Sequence, residues 1–173
     1  MIDADVARAS GGSNATHSDA IATRDFLQFT LTICHKVVMT SAMQAEWNTH
    51  QSEFARKWRR SMVNKRKLVV LTSVERHDIR NQIESLSVSD NNKEAMFKDC
   101  HLIEAALASD NRVISMDDTV KNLFSAATSS IPDLRNVLWV NPAKNYEKII
   151  NWLRDGAPIE GKLYKKWRLG HHE

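Results

Sequence analysis

Hydrophobic and polar positions switch between two periods along this chain, and the switching predicts an order of elements. Residues 2–7 predict a short strand and residues 19–34 a helix. Lys36 followed by the β-branched run Val37-Val38-Met39-Thr40 predicts a second strand. Trp47, Phe54, Trp58 and Met62 stand at offsets of 7, 11 and 15, all on one side of a helix, which predicts one long helix over 42–62. Further on, 67–72 reads as a short extended piece, 74–86 and 93–108 as helices, 112–116 as a buried strand, 119–127 as a helix, 136–140 as a strand and 145–154 as a last helix. Polar stretches at 9–18 (with Gly11-Gly12) and 87–93 read as loops. Strands alternating with helices predict α/β architecture: a single three-layer domain with a central, mostly parallel sheet flanked by helices. In such sheets ligands bind outside the carboxyl ends of the strands.

Composition narrows the class. With 42% hydrophobic and 26% charged residues over 173 positions, the chain has the apolar mass of one soluble domain, which excludes a disordered tail or a collagen-like chain. Five Gly and three Pro are too few for a loop-dominated all-β domain. Two cysteines, Cys34 and Cys100, build no disulfide framework and no C-x-x-C zinc pair, so buried free thiols in a reducing compartment are expected. The longest apolar stretch, 26–39, is interrupted by Gln28, His35 and Lys36, and residues 1–5 lack the basic and apolar regions of a secretory signal. A soluble, cytoplasmic protein with no membrane partner is expected.

The acids carry the chemistry. Asp3 and Asp5 fall at or near the end of the first expected strand, and spacing of two points both to one side. Glu46 falls in the first turns of the helix after the second strand, Asp99 near the start of the Ala-rich helix, and Asp117 and Asp118 directly after Val113-Ile114-Ser115. In a parallel sheet these segments meet at one edge. Two carboxylates at 4 Å repel by about 4 kcal/mol at an effective dielectric of 20, so such a group shares protons or holds a cation. Oxygen ligands without thiolate point to Mg²⁺ or Mn²⁺, and a divalent ion at an open strand edge suits phosphodiester hydrolysis. Taken singly, Asp99 and Asp118 also suit helix caps, and Glu46 an ordinary solvated helix position. The joint pattern is what points to a site.

That pattern resembles a known family. Met1-Ile2-Asp3-Ala4-Asp5-Val6, a Glu on the helix after strand two, Asp99-x-x-Leu102-Ile103-x-Ala105-Ala106 and Val113-Ile114-Ser115-x-Asp117 together look like a PIN domain. PIN domains are α/β nucleases that cut RNA with Mg²⁺ or Mn²⁺ held by three or four acids. The resemblance covers about residues 1–142, and it implies a PIN-like nuclease domain over 1–156 followed by a basic tail over 157–173. It implies Asp3, Glu46, Asp99 and Asp117 as catalytic and metal-binding acids, and places Ser115 where the family usually has the Thr or Ser of its T-x-D motif. Asp5 and Asp118 depart from the family pattern as extra acids beside the site. By the same resemblance the chain is a toxin of a toxin–antitoxin pair or a related stress or defence nuclease. RNA is then its substrate, with an antitoxin-like inhibitory protein and a homodimer as partners to consider.

The charge balance of +3 hides its arrangement. Arg56, Lys57, Arg59, Arg60, Lys65, Arg66 and Lys67 form a strip of seven basic residues without an acid, so the remainder of the chain carries −4. Phosphate contacts from Lys and Arg supply most non-specific affinity for nucleic acid, which makes this strip the expected substrate-binding surface; a solvated helix face reads the same way. A second patch, Lys162, Lys165, Lys166 and Arg168, is interleaved with Tyr164 and Trp167. Packing of these aromatics onto the body, and of Trp47, Phe54 and Trp58 into the core or a dimer seam, is expected over base stacking. His50, four residues after Glu46, shares its helix face and is expected to be exposed; His171 and His172 are assigned no role.

Two rivals stand beside this reading. Asp3-Ala4-Asp5-Val6 also resembles the opening of haloacid-dehalogenase-like phosphatases, with Asp3 as nucleophile and Thr40, Lys98 and Asp117-Asp118 as later motifs, but Glu46 and Asp99 then have no task. The other is a PIN-like fold used as a non-catalytic RNA-binding or assembly module.

Overall fold

Only two residues precede Asp3, and they are used at once. The Met1 ammonium donates to the Arg112 carbonyl at 3.0 Å, Ile114 N–H donates to the Met1 carbonyl at 3.0 Å, and Asp3 N–H donates to the Ile114 carbonyl at 2.8 Å. Ile2 thereby forms a single parallel bridge to Ile114. The chain then turns directly into helix α1 (Ala4–Ala9). The expected strand over 2–7 is therefore corrected to a bridge and a helix, because Ala4-Asp5-Val6-Ala7-Arg8-Ala9 is rich in good helix formers. The computed structural model describes every residue except Ser13, Cys34, His172 and Glu173, and every side chain of the remainder except those of Lys162 and Leu163. The expectations for Cys34 and His172 lie outside the described residues.

Helix α2 (Ser18–Thr32) leads to strand β1 (Val37–Thr40), which pairs in parallel with β2 (Leu68–Leu71), Val37 opposite Leu68. Between them lie α3 (Ser41–His50) and α4 (Glu53–Asn64), where one helix was expected over 42–62. The break has a local and a tertiary cause. Ser52 Oγ accepts from Ala55 N–H at 3.1 Å as the cap of α4, while Ser52 N–H donates to the Ala7 carbonyl at 3.2 Å. Across the break Trp47 and Trp58 still meet, ring centroids 5.7 Å apart.

After α5 (His77–Glu84) and α6 (Asp90–Leu107), strand β3 (Arg112–Ile114) pairs in parallel with β4 (Leu138–Val140), with α7 (Asp118–Ala126) between them. Helix α8 (Tyr146–Arg154) and a 3₁₀ segment (Lys162–Trp167) complete the chain. The result is a mixed α/β domain with two small parallel sheets. Neighbouring residues of β3 and β4 alternate between two cores. Ile114, Leu138 and Val140 join Ile2, Trp47, Trp58 and Trp152, whereas Val113 and Trp139 join Met96, Leu102 and Phe124. Both faces of these strands are thus covered, which accounts for their continuous apolar character.

The carboxyl-terminal residues pack onto this body. Trp167 meets Trp152 edge-on at 5.5 Å and Tyr164 at 5.3 Å, Leu169 N–H donates to the Val137 carbonyl at 3.0 Å, and Trp167 and Leu169 are buried. Among the described residues, no helix is long and apolar enough to cross a membrane. Cys100 is a buried free thiol, pushed up to about 12 by burial and then by the Glu104 charge.

Candidate active site

Asp3 occupies the N-cap position of α1, yet its side chain makes no capping hydrogen bond among the described residues, and it is 8% exposed. Asp5 follows in the first turn of α1. This corrects the expectation that the two share one side of a strand. Glu46 sits in the second turn of α3. Asp99 is the tenth residue of α6, whose start is capped by Ser89, so Asp99 is neither near the helix start nor a cap. Asp117 caps α7, its Oδ1 accepting from Val120 N–H at 2.9 Å, the post that the sequence offered to Asp118. Asp118 instead meets Lys144 Nζ at 2.8 Å and accepts from Asn141 Nδ2 at 3.1 Å.

These acids come from four separate segments, and Asp3, Asp5, Glu46, Asp99 and Asp117 line one cavity of about 150 Å³. Their electrostatics record the crowding. Asp99 is pushed up to about 6 by burial and then by the charge of Asp3, with Asp117 adding to it and Lys98 and His101 opposing it. Asp5 is pushed up to about 7 by burial and by Asp3, although its Oδ2 accepts from Met116 N–H at 2.7 Å and Ser115 Oγ at 3.0 Å. Ser115 Oγ also accepts from Asp117 N–H at 3.1 Å, so one buried hydroxyl ties Asp5 to the Asp117 turn.

The donor set is all-oxygen and suits a hard divalent ion. Asp5 Oδ1 is buried with no hydrogen-bond partner among the described residues. The cavity has the volume of about five waters at ~30 Å³ each, room for an ion that keeps part of its hydration. Among the described residues, no three His, Cys, Asp or Glu side chains are gathered into a ready-made metal-binding group. The acids thus converge on one cavity without closing on one point, the arrangement that mutual repulsion of carboxylates favours.

No family model, curated protein or solved structure matches the chain. The assignment of the site therefore rests on its residues.

Two residues that line this cavity, and a third beside it, lay outside the sequence-based site. Arg8 and Lys98 line it as its cationic side chains. Arg8 lies three residues beyond Asp5, a spacing that signals a shared face only once the segment is helical. The third is His101, 8% exposed, with Nδ1 donating to the Lys98 carbonyl at 2.9 Å and Nε2 3.4 Å from Glu46 Oε2. His50 lines the cavity and is exposed.

Among the described residues, none of the seven residues of the basic strip lines this cavity. Helix α4 buries Ala55, Trp58 and Met62, leaving Arg56, Lys57 and Arg60 exposed, and Lys65 and Arg66 are exposed beyond it. Lys57 pairs with Glu53 at 2.6 Å, and Arg59 donates to Asn48 Oδ1 at 2.7 Å. Lys67 holds a structural post, its ammonium donating to the carbonyls of Thr30, Leu31 and Ile33 at the end of α2.

The raised carboxyls make a prediction about stability. Asp99 and Asp5 both lie above the ordinary aspartate value of 3.8, so the folded state binds these protons more readily than the unfolded chain. Their stabilising contribution is fully present below about pH 4 and is lost as pH rises through 6 and 7. Asp99→Asn is expected to raise the stability of the metal-free protein at pH 8 by about 1–2 kcal/mol, after allowance for solvent screening of a half-exposed carboxyl, and to change it little at pH 3, below the unfolded value. Thermal unfolding in EDTA at the two pH values measures this. A loss of stability at pH 8 would show that the carboxylate has a favourable partner instead.

Proposed function

We propose that this chain is a PIN-like, metal-dependent endoribonuclease whose two small sheets act as one central parallel sheet. The observation that carries the reading is the convergence of Asp3, Glu46, Asp99 and Asp117, four acids far apart in sequence, on one cavity. The site opens beyond Ile114 and Ser115, outside the carboxyl end of β3, where parallel α/β sheets bind ligands.

Asp3, Asp99 and Asp117 would hold Mg²⁺ or Mn²⁺, with Glu46 as a further ligand or as the group that orients the attacking water. Bound there, a divalent ion supplies Lewis acidity and neutralises charge developing on the phosphate. Arg8 and Lys98, on the same cavity, would meet a phosphate oxygen. Ser115 keeps Asp5 and the Asp117 turn in register. The exposed face of α4 would track the RNA backbone away from the cleavage point.

A phosphatase with Asp3 as nucleophile leaves Glu46 and Asp99 without a task, although both line the cavity. The second reading, a non-catalytic RNA-binding module, would use the same cavity and the exposed basic face of α4 without turnover. One assay separates the three. Incubation with structured and unstructured RNAs in Mg²⁺ or Mn²⁺ is expected to yield internal cleavage that EDTA abolishes. A covalent aspartyl-phosphate with phosphomonoester turnover would establish the phosphatase, and RNA binding without cleavage in either ion would establish the module.

A further inference from the structure

Behind the wall formed by Glu46 and His101 lies a second hollow of about 580 Å³, into which the carboxyl ends of β1 and β2 open together. Glu46 faces the acidic cavity, His101 lines the second hollow, and their side chains approach to 3.4 Å, so the two spaces share this wall. His101 Nε2 is buried and finds no hydrogen-bond partner among the described residues.

The lining is selective in its chemistry. Its guanidinium, Arg80, is bound to Glu104 through both arms at 2.7 Å, and Glu75 adds another acid, so no surplus positive charge awaits a phosphate. Leu71 and Val74 offer apolar walls, while the hydroxyls of Thr72 and Ser73 and the imidazole of His77 offer donors and acceptors. Ser73 has φ of +59°, a conformation that non-glycine residues seldom adopt and that recurs at binding sites. A few apolar side chains among hydroxyls and imidazoles, with the charges of Arg80 and Glu104 spent on each other, suit a flat, uncharged heteroaromatic ring rich in hydrogen-bonding groups.

We propose that this hollow is a nucleobase subsite, taking the base of a nucleotide next to the one whose phosphate reaches the acidic cavity. It rests on the nuclease reading for the class of ligand alone. Its test is a titration of the ¹⁵N-labelled full chain, free of divalent ions, with AMP, CMP, GMP, UMP and, as the base-free probe, ribose 5-phosphate. Amide shifts at Thr72, Ser73 and His77 are expected to depend on the base, with the best nucleotide about tenfold tighter than the worst and ribose 5-phosphate without effect. His77→Ala, at an exposed position, is expected to weaken the best nucleotide about tenfold with the rest of the spectrum unchanged. Amides that stay still for all four nucleotides, or that move equally with ribose 5-phosphate, overturn the subsite. Because this readout needs neither metal nor turnover, failure of the nuclease reading shows separately, as absent metal-dependent cleavage.

Discussion

Asp3→Asn, Asp99→Asn and Asp117→Asn are each expected to lower Mn²⁺-dependent RNA cleavage by about 10²–10³-fold or more, the scale of losing one preorganised electrostatic group. The folded state should survive all three. Asp3 makes no capping bond among the described residues, so its amide disturbs no helix start. Asp117 does cap α7, but asparagine caps as well as aspartate, so the bond to Val120 N–H is kept. Asp99→Asn relieves repulsion from Asp3 and Asp117 and should stabilise the metal-free protein at high pH. Asp118→Asn is the control, since Asp118 engages Lys144 and Asn141 and lies outside the lining of the acidic cavity. Initial rates on one RNA, with thermal unfolding of each variant, decide the matter. Full activity retained in any two of the three removes the metal-site assignment.

Trp47→Ala is expected to cost about 3–5 kcal/mol, the range for removing a large aromatic from a packed core. Trp47 is fully buried, touches Trp58 and donates through Nε1 to the Ile2 carbonyl at 3.0 Å. That bond couples the core to the site, since Ile2 is the residue before Asp3. Trp47→Phe keeps most of the apolar contact and loses the donor, for about 1–3 kcal/mol. Its cleavage rate should fall at temperatures where the variant is still folded, because the peptide carrying Asp3 has lost an anchor. Urea unfolding measures the stability, and rates well below the transition measure the coupling. A Phe variant with unchanged stability and rate would show that the bond to Ile2 contributes to neither.

Much of the element order was legible because periodicity is a local property. Residues 18–32, 37–40 and 68–71 lie close to their expected positions, and the acid types needed for an oxygen-ligand site could be read directly. What was misread depended on contacts between distant segments. The 2–7 segment was expected to be extended, but its pairing to Ile114 ends at Ile2 and α1 begins at Ala4. The helix break before Ser52 turns on a hydrogen bond to Ala7, and the post of Lys67 on carbonyls more than thirty residues earlier in the chain. Arg8 at the site and His101 beside it could not be found by spacing, since one needed the helical form of α1 and the other the approach of α6 to α3.

By itself, then, the sequence determined which residues could do chemistry and the alternation of helices and strands that would carry them. Only the tertiary structure decided that Asp3, Glu46, Asp99 and Asp117 face one cavity, that Asp117 rather than Asp118 caps its helix, and that the basic strip stands apart from that cavity. The physical reason is the same in each case. Side-chain type and period act over a few residues, whereas burial, repulsion between carboxylates and the choice of hydrogen-bond partner exist only once distant segments are packed together.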